Sequence, residues 1–180
     1  RPGDRYAGMV SATGSGGTLA SGDYLKEQFP LSKVVASEAL QCPTLLNNGF
    51  GAHRIEGIGD KHVPWIHNVK NTDMVVAIDD AAPMSVMRLF NEPAGKEYLV
   101  SQGVDVGLVE QLDLLGISCI SNMISAVKMA KYYELTEQDV VLTVATDSME
   151  MYGSRLVELA EEEGDFTTLD AAGVYQRYLM

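Results

Sequence analysis

Gly14, Ser15, Gly16, Gly17 and Thr18 stand where a short apolar run, Tyr6–Ala12, gives way to a helix-forming stretch, Leu19–Phe29. Glycine has no Cβ, so three of them between positions 14 and 17 let the backbone turn sharply and aim several N–H groups at one point. A helix that starts there leaves its first N–H donors unpaired and adds the positive end of its dipole. Ser15 and Thr18 bring hydroxyl donors. The chemistry of such a corner is capture of an anion, a phosphate above all. Each charge-assisted bond contributes about 1.5–3 kcal/mol. A plain glycine-rich turn is the other reading of the same five residues. No Lys-Ser/Thr pair follows, so this is not the phosphate loop of nucleotide triphosphatases. Leu19 and Ser21 stand where the dinucleotide pattern Gly-x-Gly-x-x-Gly needs glycine.

Other residues invite chemistry and carry less of it. His53, His62 and His67 are spaced by nine and five, off any single helical face, and Pro64 interrupts them. No Cys or carboxylate set completes a zinc pattern, so no metal site is expected and the histidines read as loop and pocket-rim residues. Asp79-Asp80 resembles a magnesium pair, but a helix start follows at once and Asp80 reads better as its N-cap. Glu38 is either a cleft acid or a solvent-facing strand end. Trp65 is expected against the core or a dimer partner. Cys42 and Cys119 read as small buried hydrophobes without a basic neighbour to activate them.

These residues need a frame, and the chain supplies alternating elements. Tyr6–Ala12 is expected as the first strand and Leu19–Phe29 as the first helix. Lys33–Ser37 and Met74–Ile78 follow as strands. Pro83–Val100 reads as a helix broken near Pro93. Ile117, Ile120, Ile124 and Val127 recur at helical spacing, which predicts an amphipathic helix over Gly116–Tyr133. Val140–Ala145 is apolar but for Thr143 and is expected as a fourth, buried strand. Met149, Tyr152, Leu156 and Leu159 predict one face of a helix running into Glu161-Glu162-Glu163, and Leu169–Met180 predicts a last one. Strands separated by helices pair in parallel with both faces covered. The fold class expected is therefore α/β, a single three-layer domain over residues 1–180 with a mainly parallel sheet. In such sheets ligands sit beyond the carboxyl ends of strands. The glycine loop and Thr146–Ser148 both occupy that position in the sequence and are expected to line one pocket.

Composition narrows the partners. The chain has 180 residues, 46% hydrophobic and 21% charged, with a formal net charge of −12. That charge argues against nucleic acid, whose phosphates would be repelled. No apolar stretch approaches the roughly 20 residues of a membrane span. Arg1-Pro2-Gly3-Asp4-Arg5 does not lead into a signal-peptide pattern. Two cysteines cannot make a disulfide framework, which suits a reducing, cytoplasmic setting.

Further segments follow in order: Glu38-Ala-Leu-Gln-Cys-Pro43, His53-Arg-Ile-Glu-Gly-Ile-Gly59, Gly116-Ile-Ser-Cys-Ile-Ser-Asn122 and Thr143-Val-Ala-Thr-Asp-Ser-Met-Glu-Met-Tyr152. Taken with Gly-Ser-Gly-Gly-Thr, the set from Tyr6 to Leu156 resembles the cysteine synthase family of pyridoxal-phosphate enzymes (fold type II, tryptophan synthase β-like). The resemblance implies pyridoxal 5'-phosphate as cofactor, with its phosphate held by Gly14, Ser15, Gly16 and Thr18 and the turn supplied by Gly17. It implies Gly57 beside the cofactor ring, where the missing side chain lets substrate approach. It places Asp147, flanked by Thr146 and Ser148, at the ring nitrogen, where cysteine synthases usually carry a Ser after a Pro. A hydroxyl there, from Thr146 or Ser148, would leave the nitrogen largely neutral, whereas an Asp favours its protonation.

The family's Schiff-base lysine lies in Ser-x-Lys-[Asp/Asn]-Arg, upstream of the glycine loop. Asn68-Val-Lys70-Asn71-Thr72 lacks the Ser and the Arg and follows the loop, so Lys70 is expected at the surface. No catalytic residue is therefore assigned in this chain, and the family's Ser/Thr-Gly-Asn substrate loop is absent too. The chain looks like the carboxyl-terminal part of a larger enzyme, incomplete at the amino side and inactive alone. The activity implied for the parent is β-replacement or β-elimination on an amino acid, with a dehydratase or threonine-synthase-like reaction as a variant. Its partners would be the amino-terminal part, a small amino-acid substrate and a second copy in a homodimer, with no nucleic acid and no membrane. A non-catalytic subunit that binds a phosphorylated ligand is the alternative.

Overall fold

The computed structural model describes residues 5–180. Arg1-Pro2-Gly3-Asp4, weighed above against a signal peptide, lies outside the described residues. Four strands form one sheet: β1 (Arg5–Ala12), β2 (Lys33–Ala39), β3 (Met74–Ile78) and β4 (Asp139–Leu142). The order is β3-β2-β1-β4 and every pair is parallel. Parallel pairing follows from the helices that return the chain between strands: α1 (Gly17–Gln28) after β1, the short α2 (Thr44–Asn47) after β2, and a helical run after β3. That run holds α3 (Ala81–Asn91), α4 (Pro93–Ser101), α5 (Val106–Glu110) and α6 (Ile117–Tyr132). After β4 come α7 (Gly153–Glu163) and α8 (Thr168–Tyr178).

The chain divides into two compact units. The first runs to Asp80 and takes in Ser121–Val144; the second is Ala81–Ile120 with Ala145–Met180. In the first unit, successive β2 side chains point to opposite faces. Val34 and Ala36 pack under Leu19 of α1, with Leu45 and Val75 at the margin. Ser37, of the opposite parity, meets Ser125 of α6 at 2.7 Å between hydroxyls. Helix, sheet and helix are thus the three layers that the alternating elements predict. Gly8 is required by close approach, since a Cβ there would lie 2.2 Å from the Lys33 carbonyl oxygen across the β1–β2 pair.

In the second unit, Pro93 sits in the first turn of α4, which is why the run from Ala81 breaks at Glu92. Arg88 is buried on α3, where its guanidinium bonds Glu92, Glu163 (3.2 Å) and the Gly164 carbonyl (2.7 Å) and lies over the Phe166 ring. It ties the α7–α8 turn to α3. Burial alone lowers the pKa of this guanidinium, but Glu92 and Glu163 outweigh it and hold the group above its ordinary value.

Four expectations are corrected. The fourth strand ends at Leu142 rather than Ala145, and it is not buried: Val140 and Leu142 are exposed because β4 has a partner on one side only. Met149 and Tyr152 precede α7 rather than belonging to it. Met149 opens a 3₁₀ turn over Met149–Met151, Tyr152 follows it, and both are buried. Trp65 is fully exposed rather than in the core. Glu38 is neither at a cleft nor in solvent; it is 1% exposed, for a reason given below. Among the described residues no helix is long and apolar enough to cross a membrane.

Candidate functional site

β1 ends at Ala12, and the next five residues open α1. Gly16 is the N-cap, with φ +87° and ψ −5°, a left-handed conformation that glycine adopts without a steric penalty. No side chain caps α1, and its first turn holds no acidic residue. The orphan N–H groups of that turn therefore keep their capacity for an incoming anion. A Cβ at Gly14 would meet nothing within 4 Å. One at Gly17 would meet only Ser15 Oγ, at 3.9 Å. Ser15, Gly17 and Thr18 are exposed. One flank is closed: at Gly16 a Cβ would fall 3.1 Å from Pro64 Cβ and 3.2 Å from Ile66 Cγ1. The corner thus has an open mouth and one apolar wall.

A second loop joins it. Gly57 is exposed with φ +83°, and a Cβ there would meet nothing within 4 Å. Two residues on, the Gly59 N–H donates to the Thr13 carbonyl at 2.7 Å, binding this loop to the base of the glycine corner. The His53 ring covers Gly59, with Nε2 2.6 Å from where a Cβ would lie. The structure therefore brings Gly14–Thr18 and Gly57 together within the first unit.

Two residues hold this arrangement in roles that the sequence did not disclose. Asn122 on α6 accepts the Ala12 N–H at 2.7 Å and donates to the Val144 carbonyl at 3.0 Å, fixing the carboxyl end of β1. Glu38 at the end of β2 accepts the N–H groups of Leu45 and Leu46 at 2.8 and 2.9 Å. A carboxylate at a strand end followed seven residues later by a helical turn was the available signal for that cap.

His67, at the edge of the same wall, is buried, with Nε2 2.8 Å from Thr72 Oγ1. Burial pushes its pKa below the ordinary histidine value, opposed by the nearby Asp23 carboxylate. The unfolded chain therefore binds the proton first, and stability falls as pH drops through about 6.5 and below. Urea midpoints should decline from pH 7 to pH 5 in the unaltered chain and decline less in His67→Gln. Equal slopes would remove His67 as the cause.

Thr146, Asp147 and Ser148 belong to the second unit and form a cluster of their own there. The Asp147 carboxylate accepts from the Tyr152 hydroxyl through Oδ2 and from Cys119 Sγ through Oδ1, at 3.5 Å. Its carbonyl accepts the Gly116 N–H at 3.0 Å, just ahead of α6. A Cβ at Gly116 would lie 2.2 Å from Asp147 Oδ1, so the glycine is what admits the carboxylate. The Thr146 hydroxyl meets that of Ser118 at 3.0 Å, and Ser148 precedes the 3₁₀ turn without capping it by its side chain. Lys70 is exposed.

No protein-family model matches the chain. Cysteine synthase B of Campylobacter jejuni is 28% identical over 145 residues, 80% of this chain and 42% of the relative. The O-acetylserine-dependent cystathionine β-synthase of Bacillus subtilis is 30% identical over 151 residues, 83% of this chain and 42% of the relative. Among solved structures, a hydrogen sulfide-producing enzyme from Fusobacterium nucleatum superposes with a TM-score of 0.64 at 26% identity, covering 94% of this chain and 44% of that one. The chain thus spans about two-fifths of the length of the curated relatives it matches.

Proposed function

We propose, for a chain that belongs to the cysteine synthase-like family of pyridoxal-phosphate enzymes and carries its tryptophan synthase β-like fold, that Gly14–Thr18 hold the cofactor phosphate. The observation that carries this is the uncapped, acid-free start of α1 beneath open space at Gly14 and Gly17. A dianion fits there: backbone N–H groups and the Ser15 and Thr18 hydroxyls donate, and no carboxylate in the first turn repels it. When bound, pyridoxal phosphate supplies an electron sink for negative charge at the α-carbon of an amino acid.

The chain's own residues do the rest of what is proposed. Gly57 leaves room beside the ring. Asp147, by the family resemblance, meets the ring nitrogen and favours a proton there, with Thr146 and Ser148 at its sides. The parent activity is β-replacement or β-elimination on a serine or cysteine derivative, in the cytoplasm, where Cys42 and Cys119 stay unpaired. The covalent lysine comes from outside this chain, which binds the cofactor and does not turn over substrate alone. Residues 1–180 act as the cofactor-phosphate part of that enzyme, with the amino-terminal part and a second copy as partners.

Trp65, the sole tryptophan, lies between Pro64 and Ile66, the wall of the corner. Its fluorescence should be quenched saturably by pyridoxal phosphate, competitively with inorganic phosphate, and not by pyridoxal at the same concentrations. Borohydride followed by mass spectrometry should leave every lysine of the chain unmodified at the saturating concentration. Quenching by pyridoxal alone, or none by any probe, would remove the phosphate reading. A stoichiometric lysine adduct would overturn the external anchor.

A further inference from the structure

Ser11 lies at the carboxyl end of β1, seven positions before Thr18, and is 2% exposed. Its hydroxyl has no access to water and two acceptors within reach: Thr18 Oγ1 at 3.0 Å and the neighbouring Ala12 carbonyl at 3.3 Å. Thr18, by contrast, is exposed, and among the described residues its hydroxyl makes no other hydrogen bond. A threonine hydroxyl has one proton and two lone pairs. Once a lone pair is taken from within the fold, the proton must occupy a different staggered direction. A hydroxyl that accepts one bond also becomes a somewhat better donor.

We propose that Ser11 is a positioning residue for the phosphate corner: its buried O–H donates to Thr18 Oγ1 and thereby leaves the Thr18 proton to be donated outward, to the anion. This rests on the reading of Gly14–Thr18 as the phosphate corner and adds a residue to it. Ser11 touches no ligand and acts only through Thr18. The geometry also accounts for a serine among the buried apolar residues Met9, Val10 and Ala12. A buried hydroxyl at this point would cost stability without its partner, and its nearer partner is the one side chain of the corner that lies directly over it. Ser21 donates to the Thr18 carbonyl at 2.6 Å, which pins the backbone of the same residue and leaves the side-chain hydroxyl as its one movable donor.

Calorimetric titration of the chain with pyridoxal 5'-phosphate, inorganic phosphate and pyridoxal tests this, using Ser11→Ala, Thr18→Val and the double variant. Ser11→Ala should weaken both phosphate-bearing probes about three- to tenfold. It should leave pyridoxal unchanged, and it should have no further effect in the Thr18→Val background. The ³¹P shift of bound pyridoxal phosphate should move in Ser11→Ala and in Thr18→Val alike. Thermal unfolding of each variant separates binding from folding, since a merely structural serine would lower the midpoint without changing the affinity of the folded chain or the ³¹P shift of the bound probe. Equal losses of affinity from Ser11→Ala in both backgrounds, or no loss in either, overturn the proposal while leaving phosphate binding intact. An unaltered chain that binds neither phosphate probe overturns the corner itself and this inference with it.

Discussion

Gly14→Ala should leave the first unit folded and weaken pyridoxal phosphate at least tenfold, while Gly16→Val should lose both stability and ligand. The two glycines are two residues apart, and their surroundings differ in kind. At Gly14 the backbone is not left-handed and an added Cβ meets nothing, so alanine costs the fold little. The methyl group instead enters the open space by which, on the proposed reading, an anion reaches the corner. At Gly16 the left-handed backbone is unfavourable for any side chain and worst for a β-branched one. The new Cβ also presses on Pro64 and Ile66, at 3.1 and 3.2 Å. Relief requires either that the N-cap unwind or that the wall move away, at about 2–3 kcal/mol. Urea unfolding should therefore show an unchanged midpoint for Gly14→Ala and a lowered one for Gly16→Val. Undiminished affinity in Gly14→Ala would mean that the open mouth is not where the phosphate enters.

The same contrast marks what the sequence discloses. Gly16 is legible because its left-handed backbone answers a demand that few other residues meet. Met74–Ile78 and the break at Pro93 are legible for local reasons too, a short unbroken apolar run in one case and a missing N–H in the other. The Val140–Ala145 run misleads because its apolar residues say nothing about how many neighbours the strand will have. β4 has only β1, and its outer residues stay exposed. Trp65 misleads similarly: a large aromatic side chain reads as core, yet the apolar wall against Gly16 is made by the residues on either side of it. Ser11 and Thr18 lie in different elements, one in β1 and the other in α1, so no single helix or strand period pairs them. Only the fold of β1 onto α1 makes them partners.

Glu38→Ala should be strongly damaging to the first unit, costing about 3–5 kcal/mol and reducing affinity for pyridoxal phosphate along with stability. The side chain is buried and accepts two backbone N–H groups, those of Leu45 and Leu46. Alanine leaves a buried void and two donors without their acceptor. The damage spreads along a definite path. The turn that Glu38 caps carries Thr44, whose hydroxyl donates to the Asp60 carbonyl at 2.6 Å. Asp60 follows Gly59, whose N–H holds Thr13, and Thr13 precedes Gly14. Releasing the turn therefore loosens Gly57–Asp60 and, through Thr13, the glycine corner. Glu38→Gln keeps an acceptor oxygen and the shape while giving up the charge, and should cost roughly half as much. Urea midpoints rank the three chains. Titrations at a temperature where all remain folded should show the same rank for ligand affinity. If Glu38→Ala lost stability but bound pyridoxal phosphate as tightly as the unaltered chain, the path through Thr44 and Gly59 would not support the corner, and Glu38 would be a cap for its own turn alone.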